Sequence, residues 1–277
     1  MLTHNLDNFF EVSWKISEKC NFNCPYCVVK NKAQFPDAET IRRIAYKINE
    51  LINIRKCNNS QIYITGGEPY LQDINEIIKL WDSPYLRMVR ITSNMSADKE
   101  KYLQTRAILK ERGVKFLLRA SYHNGDFGQF VRKCSECQVD NINIVCNDDN
   151  YEWYLNELNK FEFDGNKYIV VNNRIMMINW MVERLPGGGI PETVNNIPKK
   201  SRTFSMENGC WCSAGWTTIR IEPFGDIKRC FSTEAEGNIL EEIKTFPEKY
   251  RCTRKTCSGC QNIFVYDESE IKYFHKD

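Results

Sequence analysis

The chain has 277 residues, 42% of them hydrophobic, and its 38 Lys and Arg nearly balance 36 Asp and Glu for a net charge of +2. That length can bury a full core without disulfide stapling, and the mixed charge gives no sign of a nucleic-acid partner. No apolar run approaches membrane-spanning length, and the opening "MLTHNLDNFFEVSWK" lacks the basic and apolar regions of a secretory signal, so the chain is expected to be cytoplasmic, with no membrane partner.

In chain order, "FFEVSWKI" (Phe9 to Ile16) reads as a first strand. Ile41, Ile44, Ala45, Ile48, Leu51 and Ile52 then recur at i, i+3, i+4, i+7, one apolar stripe on a helix. "QIYIT" (Gln61 to Thr65) is a second strand, followed directly by "GGEP". Ile74, Ile77, Ile78 and Trp81 make a second amphipathic helix that Asp73 can cap. "LRMVRIT" (Leu86 to Thr92) is a third strand, and a helix ends at Gly113 before the fourth strand, Val114 to Ser121. Helix Asp126 to Glu136, strand Ile142 to Cys146, helix Tyr151 to Phe161 and strand Tyr168 to Asn172 complete the series.

Six strands, each but the last followed by a helix, imply an α/β fold. Its parallel sheet has right-handed crossovers, a partial (β/α)6 TIM-like barrel. In such sheets ligands sit beyond the carboxyl ends of the strands. The cysteine loop after strand one, GGEP, "TSN" (Thr92 to Asn94) and "SYHN" (Ser121 to Asn124) all fall there. Residues 1–183 are thus expected to form the barrel core. Residues 184–209, rich in Pro, Gly and polar residues, read as a connecting segment. Residues 210–277 read as a small cysteine-rich domain with a β-hairpin, "TTIRI", "EPFGD", "IKRCF".

The thirteen cysteines, in a reducing compartment, point to metal binding or chemistry rather than disulfides. Cys20, Cys24 and Cys27 lie in one short loop, "EKCNFNCPYCVVK". Three thiolates can hold three corners of an iron–sulfur cube and leave the fourth iron open. Structural zinc usually takes four ligands, and no fourth Cys or His follows at finger spacing.

This C-x3-C-x2-C loop, placed after the first strand of a partial barrel, resembles that of the radical S-adenosylmethionine (SAM) enzymes. The resemblance implies that Cys20, Cys24 and Cys27 ligate a [4Fe-4S] cluster whose open iron chelates SAM. It further implies that reductive cleavage of SAM yields a 5′-deoxyadenosyl radical that takes a hydrogen atom from the substrate. Tyr26 would lie near the adenine, and Gly66, Gly67, Glu68 and Pro69 match the family's SAM-amino motif. Ser93, Asn94 and Ser121 match polar positions that contact SAM in that family. The alternative for these three is ordinary loop polarity, and His123 is a weaker candidate at a strand end.

The second cysteine cluster comprises Cys210, Cys212, Cys230, Cys252, Cys257 and Cys260, with a C-x17-C span across the hairpin and a later C-x2-C. It is similar to the SPASM/Twitch extensions of radical SAM enzymes. That match implies one auxiliary [4Fe-4S] cluster held by Cys212, Cys230, Cys257 and Cys260. Cys252 could replace one of the late pair and Cys210 could replace Cys212; zinc ribbon ligation is the competing reading. Cys210 and Cys252 are also candidates to return a hydrogen atom to a substrate radical. Cys134 and Cys137 share a helical face with Phe127, Phe130 and Val131 and read as core.

The resemblance implies an oxidoreductase that modifies a peptide by thioether or carbon–carbon cross-linking, dehydrogenation or epimerisation. The alternative is oxidation of a sugar- or cyclitol-like small molecule, and a non-catalytic metal-binding or redox-sensing protein is a further one. A reductase, flavodoxin or ferredoxin is the implied electron donor. Only residues 1–19 precede Cys20, so no leader-binding domain is expected ahead of the barrel.

Overall fold

Alternation of apolar and polar residues builds the first strand, β1 (Phe9–Ser17), and short apolar runs, alternating in most, give β2 (Asn59–Gly66), β3 (Leu86–Ser93), β4 (Lys115–Tyr122), β5 (Asn141–Cys146) and β6 (Asn166–Asn173). The structure is a computed structural model that describes residues 8–24, 27, 35–146, 151–160, 166–173, 178–183, 204–205, 210–230, 233–248, 250–252, 256–257 and 265–266. Consecutive strands from β1 to β6 pair in parallel. The intervening helices are α1 (Ala38–Arg55), α2 (Ile74–Ile78), α3 (Lys99–Glu111), α4 (Phe127–Glu136) and α5 (Tyr151–Asn159). Among the described residues no helix is long and apolar enough to cross a membrane.

The helices start where short acidic side chains can cap them. Asp37 Oδ1 accepts from Thr40 N at 2.7 Å at the start of α1, and Asp126 Oδ1 accepts from Gln129 N at 2.7 Å at the start of α4. The α1 stripe Ile41, Ile44, Ala45, Ile48, Leu51 and Ile52 is buried, as its spacing predicts. Helix α2 stops at Ile78, short of Trp81. Trp81 still enters the core, donating Nε1–H to Ala45 O at 3.0 Å and meeting Trp14 edge-on at 6.4 Å. The Arg112 guanidinium secures the carbonyls past the helix end, donating to Ile78 O at 2.9 Å and Trp81 O at 2.8 Å.

Period-two alternation splits the sheet's faces. Val12, Trp14, Ile16, Ile62, Ile64, Val89, Ile91, Leu118 and Ala120 join the helix side chains in one buried core. Their neighbours in sequence occupy the other face, which is polar. There Arg90 pairs with Glu11, and Tyr63 Oη lies 3.0 Å from Thr92 Oγ1.

Beyond β6 run β7 (Ile178–Glu183), β8 (Phe204–Ser205), β9 (Cys210–Cys212), β10 (Thr218–Ile221), β11 (Ile227–Lys228), β12 (Tyr250–Cys252), β13 (Thr256–Cys257) and β14 (Val265–Tyr266). Two of these extend the sheet in ways the sequence did not signal. β7 folds back antiparallel on β6, and β10 of the hairpin lies parallel to β1, with Glu11 opposite Thr218 and Trp14 opposite Ile221. The sheet thus has seven parallel strands, β10 and β1 to β6, edged by antiparallel β11 and β7. It is not closed into a barrel.

The hairpin is held by Arg55 at the end of α1, whose guanidinium stacks 3.6 Å from the Trp216 ring and donates to Trp216 O at 3.0 Å. Its turn closes through Glu222 N donating to Asp226 O at 2.9 Å. Gly225 sits in that turn at φ +93°, where a Cβ would lie 2.7 Å from Asn238 Oδ1. Separately, β9 lies between β12 and β14, and β13 pairs with β8.

Candidate active site

The cysteine loop leaves β1 at Ser17 and is laid across the end of β2. Gly67 N donates to Ser17 O at 2.8 Å, and Glu68 N donates to Lys19 O at 2.8 Å. This approach leaves no room for side chains. A Cβ at Gly66, whose φ is +141°, would stand 2.2 Å from Ser17 O, and one at Gly67 would stand 2.1 Å from Lys19 O. The two glycines therefore let the backbone of β2 close on the backbone that leads into Cys20.

Glu68 turns inward. It is 1% exposed, and its carboxylate accepts from Tyr70 N at 3.0 Å, Ser93 Oγ at 2.9 Å and Asn94 N at 2.6 Å. Burial pushes the Glu68 carboxyl above the ordinary range, while the donors pull the other way. Pro69 opens a single 3-10 turn, Pro69–Leu71, which the Glu68 side chain caps. Ser93, expected at the ligand, is buried, and its hydroxyl also receives Met95 N at 3.0 Å and lies 3.1 Å from Tyr102 Oη. Glu68 and Ser93 thus brace the ends of β2 and β3 from within.

Asn94 carries that brace to the cysteines. Its Nδ2 donates to Asn21 Oδ1 at 2.9 Å and reaches Cys20 Sγ at 3.8 Å, while its Oδ1 accepts from Ser96 N at 3.0 Å. Phe22 N also points at Cys20 Sγ, at 3.4 Å, and Cys27 N closes a turn on Cys24 O at 3.1 Å. N–H groups aimed at a sulfur stabilise the negative charge of a thiolate and suit an iron–sulfur ligand. Among the described residues no three His, Cys, Asp or Glu converge on a site for one metal ion. Three thiolates in one loop, with N–H donors at Cys20 Sγ, are the donor chemistry that a [4Fe-4S] cluster takes.

The remaining sites fall as follows. Ser121 is buried at the end of β4, opposite Asn143. His123 follows it and meets the Phe22 ring edge-on at 6.0 Å, with its imidazole pushed toward the neutral form by burial. Tyr26 and Cys260 lie outside the described residues, and Cys257 is described through its backbone in β13. Cys134 and Cys137 are buried, and desolvation pushes both thiols up, as inert core cysteines require.

In the second cysteine region, Cys212 is buried and its Sγ accepts from Ala214 N at 3.4 Å. Register sets Cys252 opposite Cys210 and Tyr250 opposite Cys212. Tyr250 was not singled out from the sequence, where nothing links it to Cys212 or Cys230. Burial pushes its phenol far up, and Cys212, Cys230 and Cys252 add to that effect. The Arg229 guanidinium lies 4.7 Å from the Tyr250 ring and is held by both Glu236 oxygens at 2.9 Å.

Residues 14–144 match the Radical SAM superfamily. The GTP 3′,8-cyclase of Klebsiella pneumoniae (strain 342) is 30% identical over 95 residues, covering 31% of this chain and 27% of the cyclase, so the chain spans well under a third of that relative. The GTP 3′,8-cyclase of Clostridium perfringens (strain SM101 / Type A) is 21% identical over 271 residues, covering 83% of this chain and 82% of the cyclase. Among solved structures, native anSMEcpe with bound AdoMet superposes with a TM-score of 0.51 at 16% identity, over 84% of this chain and 79% of that one, a likeness of fold. The match over residues 14–144, which takes in both the cysteine loop and its seat on β2, gives this chain a radical SAM domain.

Proposed function

We propose that the chain is an enzyme that modifies a peptide by hydrogen-atom abstraction, through cross-linking, dehydrogenation or epimerisation. When bound at Cys20, Cys24 and Cys27, a reduced [4Fe-4S] cluster with SAM supplies a 5′-deoxyadenosyl radical. The protein's part is to hold that loop still. The single observation that carries the reading is its seat: Gly67 and Glu68 bind the backbone of Ser17 and Lys19, and Asn94 binds Asn21 and Cys20. Carbonyls released by the glycine turn and the aromatic Tyr26 are assigned to SAM.

Cys212, Cys230, Cys257 and Cys260 are assigned to one auxiliary [4Fe-4S] cluster. Its place beside the substrate would let an electron leave the substrate radical. Cys210 and Cys252, opposite each other in register, are the thiols from which a hydrogen atom could return. A structure of anSMEcpe holds AdoMet together with a Cp18Cys peptide at TM-score 0.50, which supports a peptide as the substrate class. Cytoplasmic reductases, flavodoxins or ferredoxins are the proposed electron donors.

Anaerobic reconstitution, reduction with dithionite and assay of 5′-deoxyadenosine test the chemistry. Deuterium carried into 5′-deoxyadenosine from a labelled peptide identifies the substrate. Deuterium carried instead from a labelled cyclitol, or consumption of GTP, contradicts the peptide assignment.

A further inference from the structure

The face of the sheet turned away from the helices carries a charge that the fold leaves uncompensated. Three of its cations have acidic partners: Arg90 pairs with Glu11, Lys15 lies 3.7 Å from Glu222, and Arg220 Nε donates to Glu222 at 2.5 Å. Arg119 is different. It is partly buried on β4, with Thr92 of β3 and Asn141 of β5 as its register neighbours. Among the described residues its side chain has no ion pair and no hydrogen bond. Thr92, the nearest hydroxyl in register, is already engaged by Tyr63.

A second observation lies on the same face. Ser13, Asn143 and Thr218 are 4%, 9% and 9% exposed. Ser13 Oγ, Asn143 Oδ1 and Thr218 Oγ1, together with Asn141 Oδ1, are buried with no hydrogen-bond partner among the described residues. Buried polar atoms are nearly always paired, and a face that leaves several unpaired beside an uncompensated guanidinium is built for a polar, negatively charged occupant.

We infer that Arg119 receives a carboxylate carried by the substrate, while Asn141 and Asn143 on the adjacent β5, and Ser13 and Thr218 farther along the same face, pair with the substrate's amides or hydroxyls. One free guanidinium among neutral neighbours matches a single planar negative charge, which it can grip through two parallel N–H bonds. A doubly charged phosphate would call for a further free cation. SAM is assigned to the strand ends, from the cysteine loop and Gly66–Pro69 round to Ser121, whereas Arg119 lies two residues before Ser121, on the face of the sheet. The carboxylate at β4 is therefore the substrate's: on the proposed reading, an acidic side chain or the C-terminus of the peptide. The inference rests on that reading only for the identity of the occupant.

Phenylglyoxal modification of arginine in the cluster-loaded protein, mapped by peptide mass spectrometry, tests it without any turnover. Arg119 is expected to react in the free protein. N-acetyl-glutamate-N-methylamide should slow its reaction severalfold, whereas the neutral N-acetyl-glutamine-N-methylamide and SAM alone should not. The exposed Arg132, the internal control, should react at one rate throughout. An unreactive Arg119 would mean that the chain itself occupies it and would overturn the inference. So would equal protection by the glutamine compound, equal slowing of Arg132, or protection by SAM. Loss of 5′-deoxyadenosine formation bears on the proposed chemistry and not on this readout, so the two failures are distinguishable.

Discussion

Glu68 Oε2 accepts the backbone N–H of Asn94 at 2.6 Å, joining the end of β2 to the end of β3 directly beneath the cysteine loop. Every group facing the Glu68 carboxylate is a donor. Glutamine in its place offers one acceptor and one NH2, which must meet a donor. The Glu68→Gln variant is therefore expected to lose about 1–3 kcal/mol of stability, measured by denaturant unfolding of the apo protein. Because burial raises the Glu68 carboxyl above its ordinary 4.5, the folded chain holds this proton where the unfolded chain has released it. Its contribution is full below 4.5, is lost as pH rises through the raised value, and is level above. Glu68→Gln should flatten that slope in a plot of unfolding free energy against pH.

The glycine seat predicts a sharper effect on the loop than on the fold. At Gly67 an added methyl would stand 2.1 Å from Lys19 O, so the loop backbone must move. Gly67→Ala is expected to cost about 1–3 kcal/mol and to lower the iron retained after anaerobic reconstitution, with circular dichroism unchanged. Full iron content in this variant would remove the glycines from the positioning of Cys20.

Asn94 acts by donating toward sulfur. Asn94→Ala removes the donor, and Asn94→Asp replaces it with a negative charge beside Cys20. Iron retention should fall in the order wild type, Ala, Asp, as read by iron and sulfide analysis. Equal retention in the two variants would show that the Nδ2 contact at 3.8 Å to Cys20 has no electrostatic role.

The hairpin prediction concerns Arg55, which stacks on Trp216 and caps its carbonyl. Arg55→Ala should cost about 1–3 kcal/mol, the sum of a desolvated cation–π contact and a hydrogen bond. Hydrogen exchange should rise first in Thr218–Ile221. Exchange unchanged there would mean that the parallel pairing with β1 alone holds the hairpin.

The six βα strands were legible because each carries its own short β-branched or aromatic run, and the α1 stripe because its apolar residues at helical spacing are also buried. The end of α2 was not. Trp81 falls at helical spacing, yet its indole is placed by Ala45 O and Trp14 from other elements. The parallel docking of β10 on β1 was equally hidden, since the two strands lie some two hundred residues apart and neither sequence names its partner. At the site, residue types pointed to the cysteine loop and to Gly66–Pro69, but the division of labour did not follow from them. Glu68 falls in the motif matched to the SAM amino group and Ser93 among the positions matched to SAM contacts, and their burial and mutual hydrogen bond add a bracing role that residue types alone do not show. Asn21 and Tyr250 gave no signal, because what marks them is a neighbour brought close only by folding.

Cys257→Ala distinguishes the two clusters. It is expected to lose about four of about eight irons and to keep 5′-deoxyadenosine formation while losing product formation. Full iron and full turnover would take Cys257 out of the auxiliary set.

The most direct measurement is 5′-deoxyadenosine formed per chain after anaerobic reconstitution, dithionite reduction and addition of SAM, in the wild type beside Cys24→Ala. The expected result is 5′-deoxyadenosine from the wild type and none from the variant. An intact cluster in the wild type that yields no 5′-deoxyadenosine, or equal yields from both proteins, would contradict the assignment of Cys20, Cys24 and Cys27 to SAM cleavage.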